Sequence, residues 1–153
     1  MSDPVTVHGP EELKALAGKH LGYSDWEEIT QERVNQFADA TGDHQWIHVD
    51  TSRAAESPFG GLVAHGFLTL SLLPLWTRQV LKIEGFSLVV NYGTDRVRFP
   101  APVLVGSRVR GGMQIESVTD VPGGLQTVMI VTIEIEGGSK PACVATSIVR
   151  SYL

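Results

Sequence analysis

The order of two patterns constrains this chain more than anything else in it: a helix that is apolar on nearly every side, followed by a run of alternating strands. From about His65 to Val80, the residues Phe67, Leu68, Leu70, Leu72, Leu73, Leu75 and Trp76 leave no continuous polar face. A helix of that kind must be surrounded by other elements. From Gly85 onward the period changes to two. Phe86, Leu88, Val90 and Tyr92 alternate with Ser87, Val89 and Asn91. Past Gly93 the apolar phase moves to Val97 and Phe99, and a one-residue slip beside a glycine is how a β-bulge or strand break is written in sequence. Val109, Met113 and Ile115 mark a second strand. Leu125, Met129, Val131, Ile133 and Ile135 mark a third, entered by Pro122-Gly123-Gly124, and Ala142 to Tyr152 a fourth, after the turn Gly137-Gly138.

Upstream, Pro10 to Ala17 reads as a short helix ended by Gly18, and Tyr23 to Ile29 as a strand. Thr30 caps a second helix, with Glu32 in its first turn and Gly42 as its stop. Val34, Phe37, Ala38 and Thr41 form its apolar stripe. Asp43 to Gly61 reads as irregular, with one short helix at Ser52 to Ala55. About five strands result, four of them consecutive. The simplest packing wraps a curved antiparallel sheet around the apolar helix, an α+β arrangement known as the hot-dog fold. The 153 residues suit one domain spanning 1–153 with a core of its own.

Composition removes several function classes. A formal charge of −5 argues against nucleic acid as a partner, although a few local arginines or lysines can still hold a phosphate. The lone cysteine, Cys143, cannot form an internal disulfide; it sits in an apolar stretch and reads as a small buried residue rather than a reactive thiol. Met1 to Gly9 has no basic segment leading into an apolar run, so no signal peptide is expected. Phe67 to Leu81 is broken by Thr69, Ser71, Pro74, Thr77, Arg78 and Gln79, too polar and short for a bilayer. A cytoplasmic protein without membrane association is the expectation.

Three clusters could carry chemistry. The first is Ala40-Thr41-Gly42-Asp43-His44-Gln45-Trp46-Ile47-His48. An aspartate and a histidine that converge on one water can orient it and move its protons. The competing reading makes Asp43 a turn cap and His48 a buried structural histidine. His44, His48, Asp50 and His65 also raise a metal site, but Gly42 and Trp46 suit a ligand helix poorly and no further fixed ligand stands out, so no metal is expected. The second cluster is Val63-Ala64-His65-Gly66-Phe67. Unpaired N–H groups at a helix start can polarise a carbonyl oxygen, and Gly66 would admit a ligand close to the backbone. The third runs from Asn91-Tyr92-Gly93 to Pro102. Asn91 and Tyr92 sit at the suspected bulge, where they could line a pocket. Arg96 and Arg98 share a strand face that either meets phosphates or is simply solvated.

Together these segments resemble the MaoC-like dehydratase family, which includes the (R)-specific enoyl-CoA hydratases. The family motif Gly-Asp-x-Asn-Pro-aliphatic-His is matched by Gly42-Asp43-His44-Gln45-Trp46-Ile47-His48, with Gln45 in place of Asn and Trp46 in place of Pro. Ala64-His65-Gly66 and Arg98-Phe99-Pro100-Ala101-Pro102-Val103 are similar too, and the likeness spans about Gly22 to Tyr152, nearest to the nodulation-protein-N-like branch. The resemblance implies a hot-dog homodimer that hydrates a trans-2-enoyl-CoA reversibly to the (R)-3-hydroxyacyl-CoA, without cofactor or metal. It implies that Asp43 and His48 hold and activate the water and that the Gly66 N–H binds the thioester oxygen. His65, Asn91, Tyr92, Gly93 and Arg98 are the expected substrate contacts. Two competing activities remain: an acyl-CoA-binding subunit without turnover, and an acyl-CoA thioesterase.

Overall fold

The computed structural model describes residues 2–153. In chain order it contains β1 (Val5–His8), α1 (Pro10–Lys14), β2 (His20–Tyr23), β3 (Glu27–Glu28), α2 (Gln31–Thr41), α3 (Trp46–Val49), α4 (Thr51–Ala55), α5 (Gly66–Ser71), α6 (Leu73–Val80), β4 (Leu81–Glu84), β5 (Leu88–Arg98), β6 (Arg108–Val121), β7 (Gly124–Ile135) and β8 (Cys143–Tyr152). The main sheet runs β2-β6-β7-β8-β5, with β3 pairing onto β6 beside β2. Its ladders are antiparallel.

Alternation explains how the sheet and helices meet. Leu125, Thr127, Met129, Val131 and Ile133 of β7 are buried, as are Cys143, Ala145, Ser147, Val149 and Ser151 of β8. Cross-strand partners such as Thr127 and Val149 therefore share one face. Against that face lies α6, whose Trp76 is fully buried. The sheet makes room for it at Gly111 of β6, where a Cβ would stand 3.2 Å from the Cβ of Trp76. A larger residue there would push helix and sheet apart.

The apolar helix is present but broken. Leu72 separates α5 from α6, because Pro74 has no N–H to continue the hydrogen-bond ladder. Nor is it enclosed all round: Phe67 is 69% and Leu75 38% exposed. The single strand expected over Tyr23 to Ile29 is two short pieces, β2 and β3. β5 is continuous through Gly93 and carries a bulge between Asn91 and Gly93, as the phase slip implied, with a second between Thr94 and Arg96. A parallel pair of short strands, β1 with β4, has no counterpart in the sequence reading. Four residues are too few for a period to show, and their pairing joins distant parts of the chain. The segment 43–61 holds two short helices rather than one, α3 being the addition. Among the described residues, no helix is long and apolar enough to cross a membrane.

Two features of this frame position the site. Thr30 caps α2 by accepting from the Arg33 N–H at 3.2 Å, and Gly42 ends it in the left-handed region at φ 79°. The chain therefore reverses at Gly42 and delivers Asp43 beside the start of α5. β5, last in the sheet order, is a free edge with Leu88 (55%), Val89 (45%) and Tyr92 (58%) exposed.

Candidate active site

Three side chains meet between the end of α2 and the start of α5. Oxygen and nitrogen atoms of Asp43, His48 and His65 all lie within 4.8 Å of one another. Asp43 is half exposed, while His48 and His65 are buried at 6% and 3% exposure.

Each is held by backbone. The Asp43 carboxylate accepts from the Gln45 N–H at 3.3 Å, an Asx turn that aims the chain into α3. α3 begins at Trp46, the position at which a proline is well tolerated because the first N–H of a helix has no intrahelical acceptor. Trp46 thus keeps the helix start that the usual proline would give, and its ring packs under the Arg53 guanidinium at 4.4 Å. α3 then turns His48 inward. Its Nδ1 lies 2.6 Å from the Val63 carbonyl oxygen. A carbonyl only accepts, so Nδ1 carries the hydrogen and the neutral ring keeps its lone pair on Nε2. Burial lowers the His48 pKa below the ordinary histidine value, and neighbouring His65 lowers it further; the Val63 carbonyl and the Asp43 carboxylate oppose the shift. At neutral pH the imidazole is therefore mainly neutral, a base with one free nitrogen.

His65 does a different job. Its Nε2–H donates to the backbone oxygen of Asp43 at 2.9 Å, and Nε2 stands 4.0 Å from Asp43 Oδ2. Its ring stacks on that of His48 with centroids 3.7 Å apart and an interplanar angle of 23°. Phe37 packs on it at 4.8 Å. His65 so ties the Asp43 loop to the root of α5 and supports the His48 ring. Its Nδ1 is buried without a partner. Of the other residues considered as metal ligands, His44 pairs with Asp39 on the surface, which raises its pKa, and Asp50 caps α4 through the Arg53 N–H. Neither joins the cluster.

Gly66 is the first residue of α5, so its N–H has no intrahelical acceptor. A Cβ at Gly66 would stand 3.1 Å from three atoms of the Phe99 ring. Phe99 thus lies over the glycine and meets Phe67 edge-on, with centroids 6.2 Å apart. The remaining expected contacts divide. Asn91 lines a cavity of about 380 Å³ between α6 and the sheet. Tyr92, displaced by the bulge, stacks under the Arg150 guanidinium at 3.7 Å instead. Gly93 has open space about it, and Arg98 is exposed with its Nη1 on the Val97 oxygen, so neither belongs to the lining. Cys143 is buried, and burial pushes its thiol up to about 11, away from the thiolate form that reacts.

Sequence reasoning missed the Val63 oxygen, Phe37, Phe99 and Gln31, whose Nε2 donates to the His48 oxygen at 2.9 Å. Phe37 carried a signal, its place on the α2 stripe. A backbone oxygen carries none.

An antiparallel sheet over a central helix is the hot-dog arrangement, and the carboxylate–imidazole pair at the helix root is its candidate acid–base site. Comparison with known proteins is more specific. The family model for the MaoC like domain matches residues 12–137, and the chain belongs to that family. The 3-hydroxyacyl-thioester dehydratase Z of Mycobacterium tuberculosis is 56% identical over 146 residues, covering 95% of this chain and 97% of the relative. Nodulation protein N of Rhizobium meliloti is 48% identical over 137 residues, covering 88% and 85%. Among solved structures, the R-hydratase PhaJ1 of Pseudomonas aeruginosa superposes with a TM-score of 0.71 at 22% identity over 89% of this chain and 81% of that one. At that identity the superposition establishes the hot-dog fold alone.

Proposed function

We propose that this protein is an (R)-specific hydratase of 2-enoyl thioesters, acting reversibly as a 3-hydroxyacyl-thioester dehydratase. The observation that carries the reading is the free Nε2 of a neutral, buried His48 beside the Asp43 carboxylate, at the root of the helix that begins with Gly66. The names of the relatives support the reaction class: a 3-hydroxyacyl-thioester dehydratase at 56% identity and a 3-hydroxybutyryl-CoA dehydratase at 36% over 90 residues.

The chemistry follows from the groups present. Water held between Asp43 and His48 Nε2 forms a bond from oxygen to C3. The π pair of the C2=C3 bond moves to C2 and onto the thioester oxygen, where the Gly66 N–H stabilises it; such a donor is worth roughly 100- to 1,000-fold in rate. The pair takes a proton from water and returns one to C2, so water is added across the double bond and the enzyme's groups end as they began. The thioester itself is the electron sink, so no organic cofactor enters. His48 Nε2 is the base and Asp43 orients the water. His65 positions both and does not touch substrate. The acyl chain runs along α5 and α6 toward the cavity, and the thioester carrier is coenzyme A in the cytoplasm.

The free β5 edge and the exposed Phe67 and Phe99 favour pairing with a second copy. Two solved neighbours are the HadBC and ChsH1-ChsH2 complexes, so a different MaoC-like chain is the competing partner. Sedimentation of the purified chain at micromolar concentration checks this: a species of twice 16.6 kDa supports the homodimer, and a species of 16.6 kDa alone contradicts it. The activity is tested by loss of enoyl absorbance with trans-2-enoyl-CoAs. Release of free CoA instead would mark a thioesterase. Thermal stabilisation by acyl-CoA without turnover would mark a binding subunit.

A further inference from the structure

The cavity between α6 and the sheet holds polar groups that hydration does not use. Its apolar lining includes Leu73, Leu81, Met129 and Val149. A pocket for a plain hydrocarbon chain would be hydrocarbon throughout, because polar groups in a pocket serve to fix specific partners. Here three adjacent strands each place a polar side chain in the lining: Asn91 on β5, Ser147 on β8 and Thr127 on β7. The register brings them together. Val149 stands opposite both Asn91 and Thr127, and Ser147 is the next residue on the same face of β8. Ser147 is 7% and Thr127 1% exposed.

None of the three side chains has a hydrogen-bond partner among the described residues; Asn91 is exposed, and the other two are buried. Thr127 Oγ1 is buried without a partner. Ser147 and Asn91 take part in none of the side-chain hydrogen bonds among the described residues. Thr77, by contrast, already donates to the Leu73 oxygen at 2.8 Å. At the rim, Lys82 is paired with Glu84, while Arg78 is exposed and has no carboxylate within ion-pair reach among the described residues. A fully aliphatic guest would strip water from Ser147 and return no hydrogen bond, and would lie against the exposed amide of Asn91 without using it.

We propose that the guest of this cavity is an oxygenated acyl chain, carrying a hydroxyl or a carboxylate beyond the reacting double bond. Asn91 and Ser147 hydrogen-bond that oxygen, and Arg78 faces it when it is a carboxylate. The inference rests on the hydratase reading for the identity of the guest as an acyl thioester, and it adds the class of chain.

The test is binding, so that it does not depend on turnover. Calorimetry would compare a saturated acyl-CoA with its ω-hydroxy and ω-carboxy counterparts of the same length, on the wild type, Ser147→Ala and Arg78→Gln. At least one oxygenated ligand is expected to bind roughly tenfold tighter than the plain chain, the worth of one good hydrogen bond. Ser147→Ala erases that advantage. Arg78→Gln lowers affinity for the ω-carboxy ligand alone, and an unchanged affinity there assigns a neutral oxygen. Equal or tighter binding of the plain chain, or an advantage that survives Ser147→Ala, overturns the proposal. Hydration without a preference would sink this inference only; a preference without hydration of any enoyl-CoA would sink the hydratase reading only.

Discussion

The reactive loop and the cavity wall treat their polar groups in opposite ways. Around Asp43, His48 and His65, each side chain has one atom tied to backbone: the Gln45 N–H, the Val63 oxygen and the Asp43 oxygen fix Asp43 Oδ1, His48 Nδ1 and His65 Nε2. Along the cavity, the side chains of Asn91, Thr127 and Ser147 make no hydrogen bond among the described residues. The first region is held by its own backbone, the fixed geometry that proton transfer at a defined point would require. The second is left incomplete, which is what recognition of a guest requires. Within the second set it is Thr127 Oγ1, buried without a partner among the described residues, that costs the fold stability.

Substitutions in the reactive loop should give the largest effects. His48→Ala and Asp43→Asn should each lower kcat by about 10²- to 10⁴-fold, the usual range for a general acid or base. The double variant should be little worse than the more damaged single one, because the two act on one water. Steady-state hydration kinetics decide this; additive losses would separate the pair.

His65→Phe keeps an aromatic ring against His48 but removes the donor to the Asp43 oxygen. A fall in kcat of roughly 10²-fold with KM little changed is expected, as for a small misplacement of a catalytic group. A change confined to KM would make His65 a substrate contact after all.

Gly66→Ala places a Cβ 3.1 Å from the Phe99 ring, which must shift. Because the ring is partly exposed it can move, so stability should hold while kcat/KM falls by roughly tenfold, as expected if the N–H donor is only displaced. Equal values for variant and wild type would remove Gly66 from the site.

The pH dependence should distinguish a buried base from an exposed one. His48 must be neutral to accept a proton, and burial holds its pKa below the ordinary 6.5. Activity should therefore persist below pH 6.5 and fall only as pH drops through that lowered value. Stability follows the same sign. The unfolded chain takes the His48 proton first as pH falls below about 6.5, so the fold loses stability on that side and keeps it above. A kcat/KM profile with its acid limb above 6.5 would contradict the assignment.

At the small end, Arg98→Ala should change activity by less than about twofold and stability by within about 0.5 kcal/mol, as for an exposed side chain whose only bond is to its own strand.

These regions also differ in how legible they were. Asp43, His48 and Gly66 were readable because they sit beside a helix stop and a helix start, and both are punctuated by glycine. The long strands were readable because β6, β7 and β8 have ten residues or more, enough for a period of two to show. The β1–β4 pair and the split of the first strand were not, since short strands depend on partners far along the chain. The tautomer of His48 rests on a backbone oxygen fifteen residues away, which no side-chain pattern encodes. Asn91 was anticipated at the bulge; Ser147 and Thr127 carry no motif of their own, and only the register sets them beside it. Tyr92 was expected in the same pocket. The bulge that drew notice to it is what carries it to the Arg150 side.

The hydratase proposal stands or falls with the addition of water to an enoyl thioester by the Asp43–His48 pair. The most direct measurement follows the loss of enoyl absorbance with crotonyl-CoA and longer trans-2-enoyl-CoAs, on the wild type and Asp43→Asn, with chiral analysis of the product. The wild type should give (R)-3-hydroxyacyl-CoA and the variant should react at least 10²-fold more slowly. Wild type and variant equally inert at every chain length would contradict the proposal.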